Sequence, residues 1–337
     1  MPAARHRLDI VVPGLFAPQP GLVNLSPSER PDWRLLEAWL ARADRRRGPA
    51  RRVDSLLAER LGLSGDCLPL AAVTAAADDL PATDDWWLRA DPVCLLPDRD
   101  RLRLVDASPA LTAAEAGALA ATLNDFLAED GMEIIVPHPQ RWYLRCEDGH
   151  SPGGSPLPEV AGEDIAPHLP TGDDGIWRRR LNAIQMSLHG HPVNAAREAG
   201  GQLPVNSVWF WGGGRWPQGA GSDISRIFTD DDSFIALGEA LGLERLPLQA
   251  LATADLTGNS LVIDTRLWPA HVQRDPLAWM EGVTGFNNEI VRIVTRRMRE
   301  DDLSIRLHDA GNQYTIHSRQ RFRLWRRRRF LPELTAS

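Results

Sequence analysis

The sequence predicts an α/β fold in two parts, a discontinuous sheet domain with a smaller α+β domain inserted into it. Three observations carry this. LDIVV at 8–12 reads as a buried strand and is followed by the helical spacing of Trp33, Leu36, Trp39, Leu40 and Ala43, the strand-then-helix opening of an α/β sheet. The stretch from Asp79 to Asp85, with Pro81 between acidic pairs, reads as a linker. Behind it comes a separate run of two strands, a helix and two more strands, and the 337 residues, 43% of them hydrophobic, suffice for about two domains.

Taken in order, strands are expected at 86–96 and 101–106. The next helix starts on a capping box, Thr112 with Glu115, and puts Ala116, Leu119, Ala120, Leu123 and Leu127 on one face before Gly131 ends it. MEIIV at 132–136 and RWYLR at 141–145 supply two strands. The Pro- and Gly-rich stretch 150–175 is read as a mobile cover over a cleft or as disorder. Trp177, Leu181, Ile184 and Leu188 form the apolar stripe of a helix leading into HPVN at 191–194. The run Trp209, Phe210, Trp211 suits a strand buried on both faces of a parallel sheet. Gly212, Gly213 and Gly214 then read as a sharp turn, with a phosphate cradle as the second reading, and Arg215 and Pro217 fix the exit. LVID at 261–264, a helix over about 277–298, LSIRL at 303–307 and QYTIH at 313–317 complete the alternation.

The expected boundaries are therefore 1–80 plus 205–337 for the sheet domain, 85–175 for the insert, and 176–204 for a return helix and hinge. Ligands of open α/β sheets sit at the carboxyl ends of the strands. Pro13–Phe16, Gly212–Arg215, Asp264–Arg266 and His308–Asn312 are accordingly expected to line one cleft.

Composition excludes several functions. All 38 basic side chains are Arg, which removes a Schiff-base lysine and a P-loop lysine. Cys67, Cys94 and Cys146 are too few and too scattered for a disulfide framework or a zinc knuckle. His189 and His191 are spaced so that a helix points their rings apart, against a zinc site. No apolar run reaches about 18 residues and no signal peptide precedes the first strand, so a cytoplasmic protein without a membrane span is expected. A net charge of −7 argues against general nucleic-acid binding. The tail RQRFRLWRRRRF at 319–330 is expected to pack its aromatic side down with its arginines in solvent; a phosphate- or lipid-binding adaptor is the other reading. The tryptophans are expected mostly in the core, an exposed subset forming a partner surface.

HPVN with Arg197, PVN at 204–206, the apolar strand and the G-x-G turn are similar to the corresponding stretch of archaeal-type cofactor-independent phosphoglycerate mutases, of the alkaline phosphatase superfamily. Residues 85–127, with their helix carrying the LN pair Leu123-Asn124, resemble the start of that family's inserted substrate domain. The whole chain further resembles the RpfE-type regulatory proteins of proteobacteria, divergent relatives of those mutases. The resemblance implies an alkaline-phosphatase-like three-layer sheet domain. It also implies two divalent metals on Asp and His, which would activate a serine nucleophile and neutralise the migrating phosphoryl group.

The sequence departs from that chemistry. Pro13-Gly14 stands where the family has a metal-binding Asp-Gly, and DTRLWPAHVQRD at 264–275 replaces an array of His, Asp and His. His308-Asp309 reverses the family's Asp-His order, and reversal turns the side chains in different directions. Ser26 and Ser28 are the nearest serines and read as loop residues. Candidate substrate contacts are Arg89, His191, Asn194, Arg197, Gly212, Gly214 and Arg215, with a structural hinge as the competing role of the HPVN residues.

The expected function is a non-catalytic regulatory or binding protein that takes a protein partner or a phosphorylated small molecule and needs no cofactor. The alternative is an active mutase or related phosphotransferase with a Mn- or Zn-type metal on Asp264, His271, Asp275, His308 and Asp309.

Overall fold

A computed structural model describes residues 6–48, 52–63, 67–107, 109–147, 153–170, 175–217, 221–301, 303–308, 312–317, 320, 322–323 and 325–335. Its strands in chain order are β1 (His6–Val11), β2 (Asp44–Arg47), β3 (Trp86–Asp98), β4 (Arg101–Asp106), β5 (Met132–His138), β6 (Arg141–Cys146), β7 (Ser207–Gly214), β8 (Ile224–Phe228), β9 (Glu244–Leu246), β10 (Asn259–Ile263), β11 (Leu303–His308) and β12 (Asn312–His317). The chain divides into two compact units, 1–64 with 219–337, and 65–218.

The first unit holds a seven-stranded sheet in the order β2-β12-β11-β1-β10-β8-β9. The run from β11 to β9 is parallel, while β12 and β2 continue it antiparallel. Alternation along β1 and β11 sorts their side chains by face. Leu8, Ile10, Ile305 and Leu307 join a core with the helices Arg34–Arg42, Pro276–Phe286 and Arg292–Glu300. Arg7, Asp9, Arg306 and His308 occupy the other face. The helices Val53–Leu61 and Asp232–Ala240 lie on that second side, Arg60 reaching Asp9 and Gly238 packing on Ile227, so the unit has the expected three layers. The long helix expected over 277–298 is interrupted by a π turn, Asn287–Val291. Buried Asn287 there accepts the Leu36 N–H (3.1 Å), an otherwise orphaned donor of the first helix. Two threonines finish the docking, Thr284 and Thr295 accepting the indole N–H of Trp33 and Trp39 at 2.9 Å each.

The second unit holds a sheet in the order β4-β3-β6-β5, with β7 on the other side of β3. The helices Ala113–Leu127 and Ile176–Leu188 share a core with Leu88, Ala90, Val208 and Phe210. The helix Leu70–Ala77 covers the opposite face, its alanines against Trp87 and Tyr143. The capping box at Thr112 is formed in both directions.

Three expectations are corrected. The Trp209–Trp211 strand is buried on both faces as its composition requires, but it runs antiparallel beside β3, so 65–80 and 205–217 lie in the second unit rather than in the sheet domain. The glycine triplet is strand, not turn. Trp87 faces Gly214 while Arg89 faces Trp211, which puts one extra residue on β7, a bulge with Gly212 at φ +64°. The described part of the 150–175 stretch is stitched down rather than loose. Gly154 N donates to the Phe210 carbonyl (2.7 Å), Ile165 N to that of Leu102 (2.9 Å), and Val160 is fully buried.

Candidate functional site

The polar face of the large sheet gathers buried charged side chains. Asp9 is fully buried in β1, and the β1–β11 register sets Arg306 opposite it and His308 opposite Val11. His308 Nε2 lies 2.6 Å from Asp9 Oδ1, and Arg7 Nε donates to Asp9 Oδ2 at 2.7 Å. Arg7 also grips Asp223 through both terminal nitrogens, at 2.9 and 2.5 Å. Arg60 approaches Asp9 to 3.9 Å. Burial pushes the Asp9 carboxyl up, but the hydrogen bonds and charges of His308 and Arg7 outweigh it and hold the group below its ordinary value. Burial and the nearby Arg7 and Arg60 lower the Arg306 guanidinium, whose Nε is buried without a hydrogen-bond partner.

A second buried carboxylate, Asp264, directly follows β10, and its N–H donates to the Val11 carbonyl (3.1 Å). Its oxygens take Arg266 Nε at 2.9 and 2.7 Å and the Arg266 N–H at 3.2 Å. Burial pushes this carboxyl above its ordinary value and the Arg266 guanidinium pulls it part of the way back. Arg266 continues to Glu289 (2.7 Å), and Gly285 leaves room for it, since a Cβ there would stand 2.8 Å from Arg266 Nη1.

The other proposed metal donors have separate tasks. Asp275 caps the helix Pro276–Phe286, accepting from Leu277 N and Ala278 N at 2.9 and 3.0 Å. His271 is exposed on the short helix Trp268–Val272 beside Gly14, whose φ of +86° makes the turn after β1. Asp309 lies outside the described residues. Among the described residues no three His, Cys, Asp or Glu side chains form a group able to hold a metal. The two buried carboxylates instead meet in-chain cations, so the donors among the described residues do not fit the dinuclear centre implied by the resemblance. Ser26 and Ser28 are exposed turn residues, Ser26 Oγ donating to Glu29 at 2.5 Å.

In the second unit the expected substrate contacts are engaged inside the protein. Arg89 is 9% exposed, pairs with Asp91 at 2.5 Å and stacks over Tyr143 and Trp211, leaving its Nε buried and unpartnered. Asp91 also accepts the Trp211 indole N–H at 2.7 Å. Beside it Asp78 binds Arg141 and takes the Tyr143 hydroxyl (2.6 Å), and burial pushes that hydroxyl well above its ordinary range.

The HPVN segment is a junction. His191 Nδ1 accepts the Val193 N–H (3.2 Å), which leaves the Nε2 proton to be donated to Thr122 Oγ1 at 3.2 Å. Asn194 binds the Val205 N–H and carbonyl (2.8 and 2.9 Å) and the Leu188 carbonyl (3.0 Å). Arg197, 4% exposed, donates to the carbonyls of Leu203 and Ala110 and to Glu115. Gly212 needs glycine for its φ of +64° and only touches Leu70, whereas a Cβ on Gly214 would stand 2.6 Å from Pro69 Cβ, before the helix Leu70–Ala77. Arg215 binds the Asp84 carbonyl. Gly212–Arg215 thus ends a strand of the second sheet, while the other three loops expected in the cleft belong to the first unit.

Sequence reasoning passed over Arg7, Asp9, Arg60 and Arg306. The signal was present as charges spaced two apart inside apolar strands, HRLDIV and LSIRLH, which places them on one face.

No family model matches the chain. Among curated proteins, it is 29% identical over 135 residues to the probable 2,3-bisphosphoglycerate-independent phosphoglycerate mutase of Geobacter sulfurreducens, covering 39% of this chain and 33% of that one. A shorter stretch is 38% identical over 65 residues to the 2,3-bisphosphoglycerate-independent phosphoglycerate mutase of Methanosarcina mazei, covering 19% and 16%. The relationship is phosphoglycerate mutase-like. The matched stretches span a third or less of these relatives. Among solved structures, the PH0037 protein from Pyrococcus horikoshii shares the fold, with a TM-score of 0.52 at 13% identity over 93% of this chain and 88% of that one.

Proposed function

We propose that this chain is a non-catalytic regulatory or binding protein on a mutase-like frame, of the RpfE type, working in the cytoplasm on a protein partner or a phosphorylated small molecule. One observation carries the reading. The buried carboxylates of the first unit are matched by the chain's own cations, Asp264 by Arg266 and Asp9 by Arg7, with His308 Nε2 also against Asp9. A guanidinium can balance a carboxylate, but it cannot lower the pKa of a nucleophile by coordinating it as a metal does. The retained HPVN residues bond the frame, which supports persistence of the fold without the reaction.

A coupled assay for conversion of 3-phosphoglycerate to 2-phosphoglycerate, with manganese, cobalt or zinc added, tests this. The expected result is no turnover above a metal-free blank. Metal-dependent turnover abolished by His308→Ala would establish an active mutase with a rearranged site and overturn the proposal.

A further inference from the structure

The arginine-rich tail is anchored at two places, and between them it faces a pocket. Upstream, Gln320 and Arg323 bind the Asp44 carboxylate (2.6 and 2.5 Å), and Arg326 donates to the Ala43 carbonyl (2.7 Å). Downstream, Phe330 is buried and stacks on Trp33 with ring centroids 5.6 Å apart. The intervening Arg327, Arg328 and Arg329 are exposed and line a concave pocket of about 650 Å³ together with Arg30 and Arg34.

The cations of this pocket outnumber its acids. Asp32 is taken up by Arg34 at 2.5 and 2.7 Å, and burial pushes the Glu37 carboxyl above its ordinary value against the pull of Arg328 and Arg30. Arg30 lies over the Phe330 ring at 4.4 Å and pairs with Glu333. Arg327, Arg328 and Arg329 all stand exposed, and the Arg328 charge acts on both the Asp32 and the Glu37 carboxyl. Three like charges are thus held side by side and exposed along one pocket, an arrangement that suits phosphate oxygens.

The flanking surface says where the phosphate comes from. Phe322 and Trp325 are 64% and 74% exposed on the same segment, contrary to the expectation that its aromatic side packs down. Beside them β2 exposes Arg45, Arg46 and Arg47 at the sheet edge. Outward aromatics amid arginines match a lipid interface, where the rings enter the headgroup layer and the guanidiniums meet its phosphates. We propose that the tail pocket and its aromatic flank bind the phosphate headgroups of an anionic membrane surface.

Cosedimentation of the full chain with vesicles tests this, comparing phosphatidylcholine alone with mixtures containing phosphatidylglycerol or cardiolipin. Binding is expected only to the anionic vesicles, decreasing with added salt. The triple variant Arg327→Gln, Arg328→Gln, Arg329→Gln should weaken it about a hundredfold, and Trp325→Ala about three- to tenfold, both with unchanged Tm. Equal binding to neutral and anionic vesicles, or a triple variant that binds like the parent, overturns the proposal. So does absence of vesicle binding where inositol hexaphosphate or single-stranded RNA binds, since the pocket would then serve a soluble anion or a nucleic acid.

Discussion

Asn124, Asn194 and Asn206 each bond both the N–H and the C=O of one distant residue, Ile134, Val205 and Leu95. A carboxamide has the donor and acceptor of a peptide unit, so it can stand in for a strand neighbour. These asparagines sit in the LN pair, in HPVN and in PVN, so the segments that resemble the mutases are held by frame bonds. The sequence left Asn194 open between hinge and ligand contact, because both roles use the same amide atoms. Asn194→Ala is expected to cost about 1–3 kcal/mol in urea unfolding, since buried groups of Val205 and Leu188 lose their partners; a change within about 0.5 kcal/mol would contradict that role. Asp9 has a pH signature instead. Its folded pKa lies below its ordinary 3.8, so its stabilisation is full above that value and disappears as the pH falls through the lower folded value. Asp9→Asn should flatten the acid limb of a Tm–pH profile and cost about 1–3 kcal/mol at neutral pH, because His308 and Arg7 lose a charged acceptor while Arg7 keeps Asp223. An acid limb unchanged in the variant would remove Asp9 from the account.

The strands and helices with a clear apolar period, such as 8–12, 113–127 and 303–307, were legible as elements because their periods are local. But β2, β8, β9 and the helices Val53–Leu61, Leu70–Ala77 and Asp232–Ala240 were not read, and which sheet a strand joins is not local. The run VWFW says that β7 is covered on both faces without saying by what. One cover is the core under the helices Ala113–Leu127 and Ile176–Leu188, and the other is the helix Leu70–Ala77, against whose start Gly212 and Gly214 lie. A Cβ on Gly214 would stand 2.6 Å from Pro69 Cβ, whereas one on Gly117, inside the helix Ala113–Leu127, meets nothing within 4 Å. Gly214→Ala is therefore expected to destabilise by about 1–3 kcal/mol and Gly117→Ala to stabilise by up to about 1 kcal/mol. Thermal unfolding of the two variants side by side decides it, and equal shifts would mean that Pro69 does not constrain the strand. The tail divides along similar lines. Phe330 packs down as its pattern suggested, and Trp325 does not.

Across the chain, each unit carries its own apolar core, and no helix among the described residues is long and apolar enough to cross a membrane. Because the buried carboxylates already have cations, manganese or zinc is expected to leave the Tm unchanged, although a specific site at a hundred times its Kd would add about 2.7 kcal/mol. A Tm rise that Asp264→Asn abolishes would reinstate the metal. Order along the chain was enough to read an α/β class, the capped helix at Thr112 and the lack of lysine chemistry, since propensity, spacing and side-chain type act over a few residues. It was not enough to seat β7 beside β3, to make Arg89 the partner of Asp91, or to bring Arg7, Asp9, Arg306 and His308 onto one buried face. Those outcomes depend on which groups burial brings within hydrogen-bond range, and a buried charge takes whatever counter-charge the fold sets beside it.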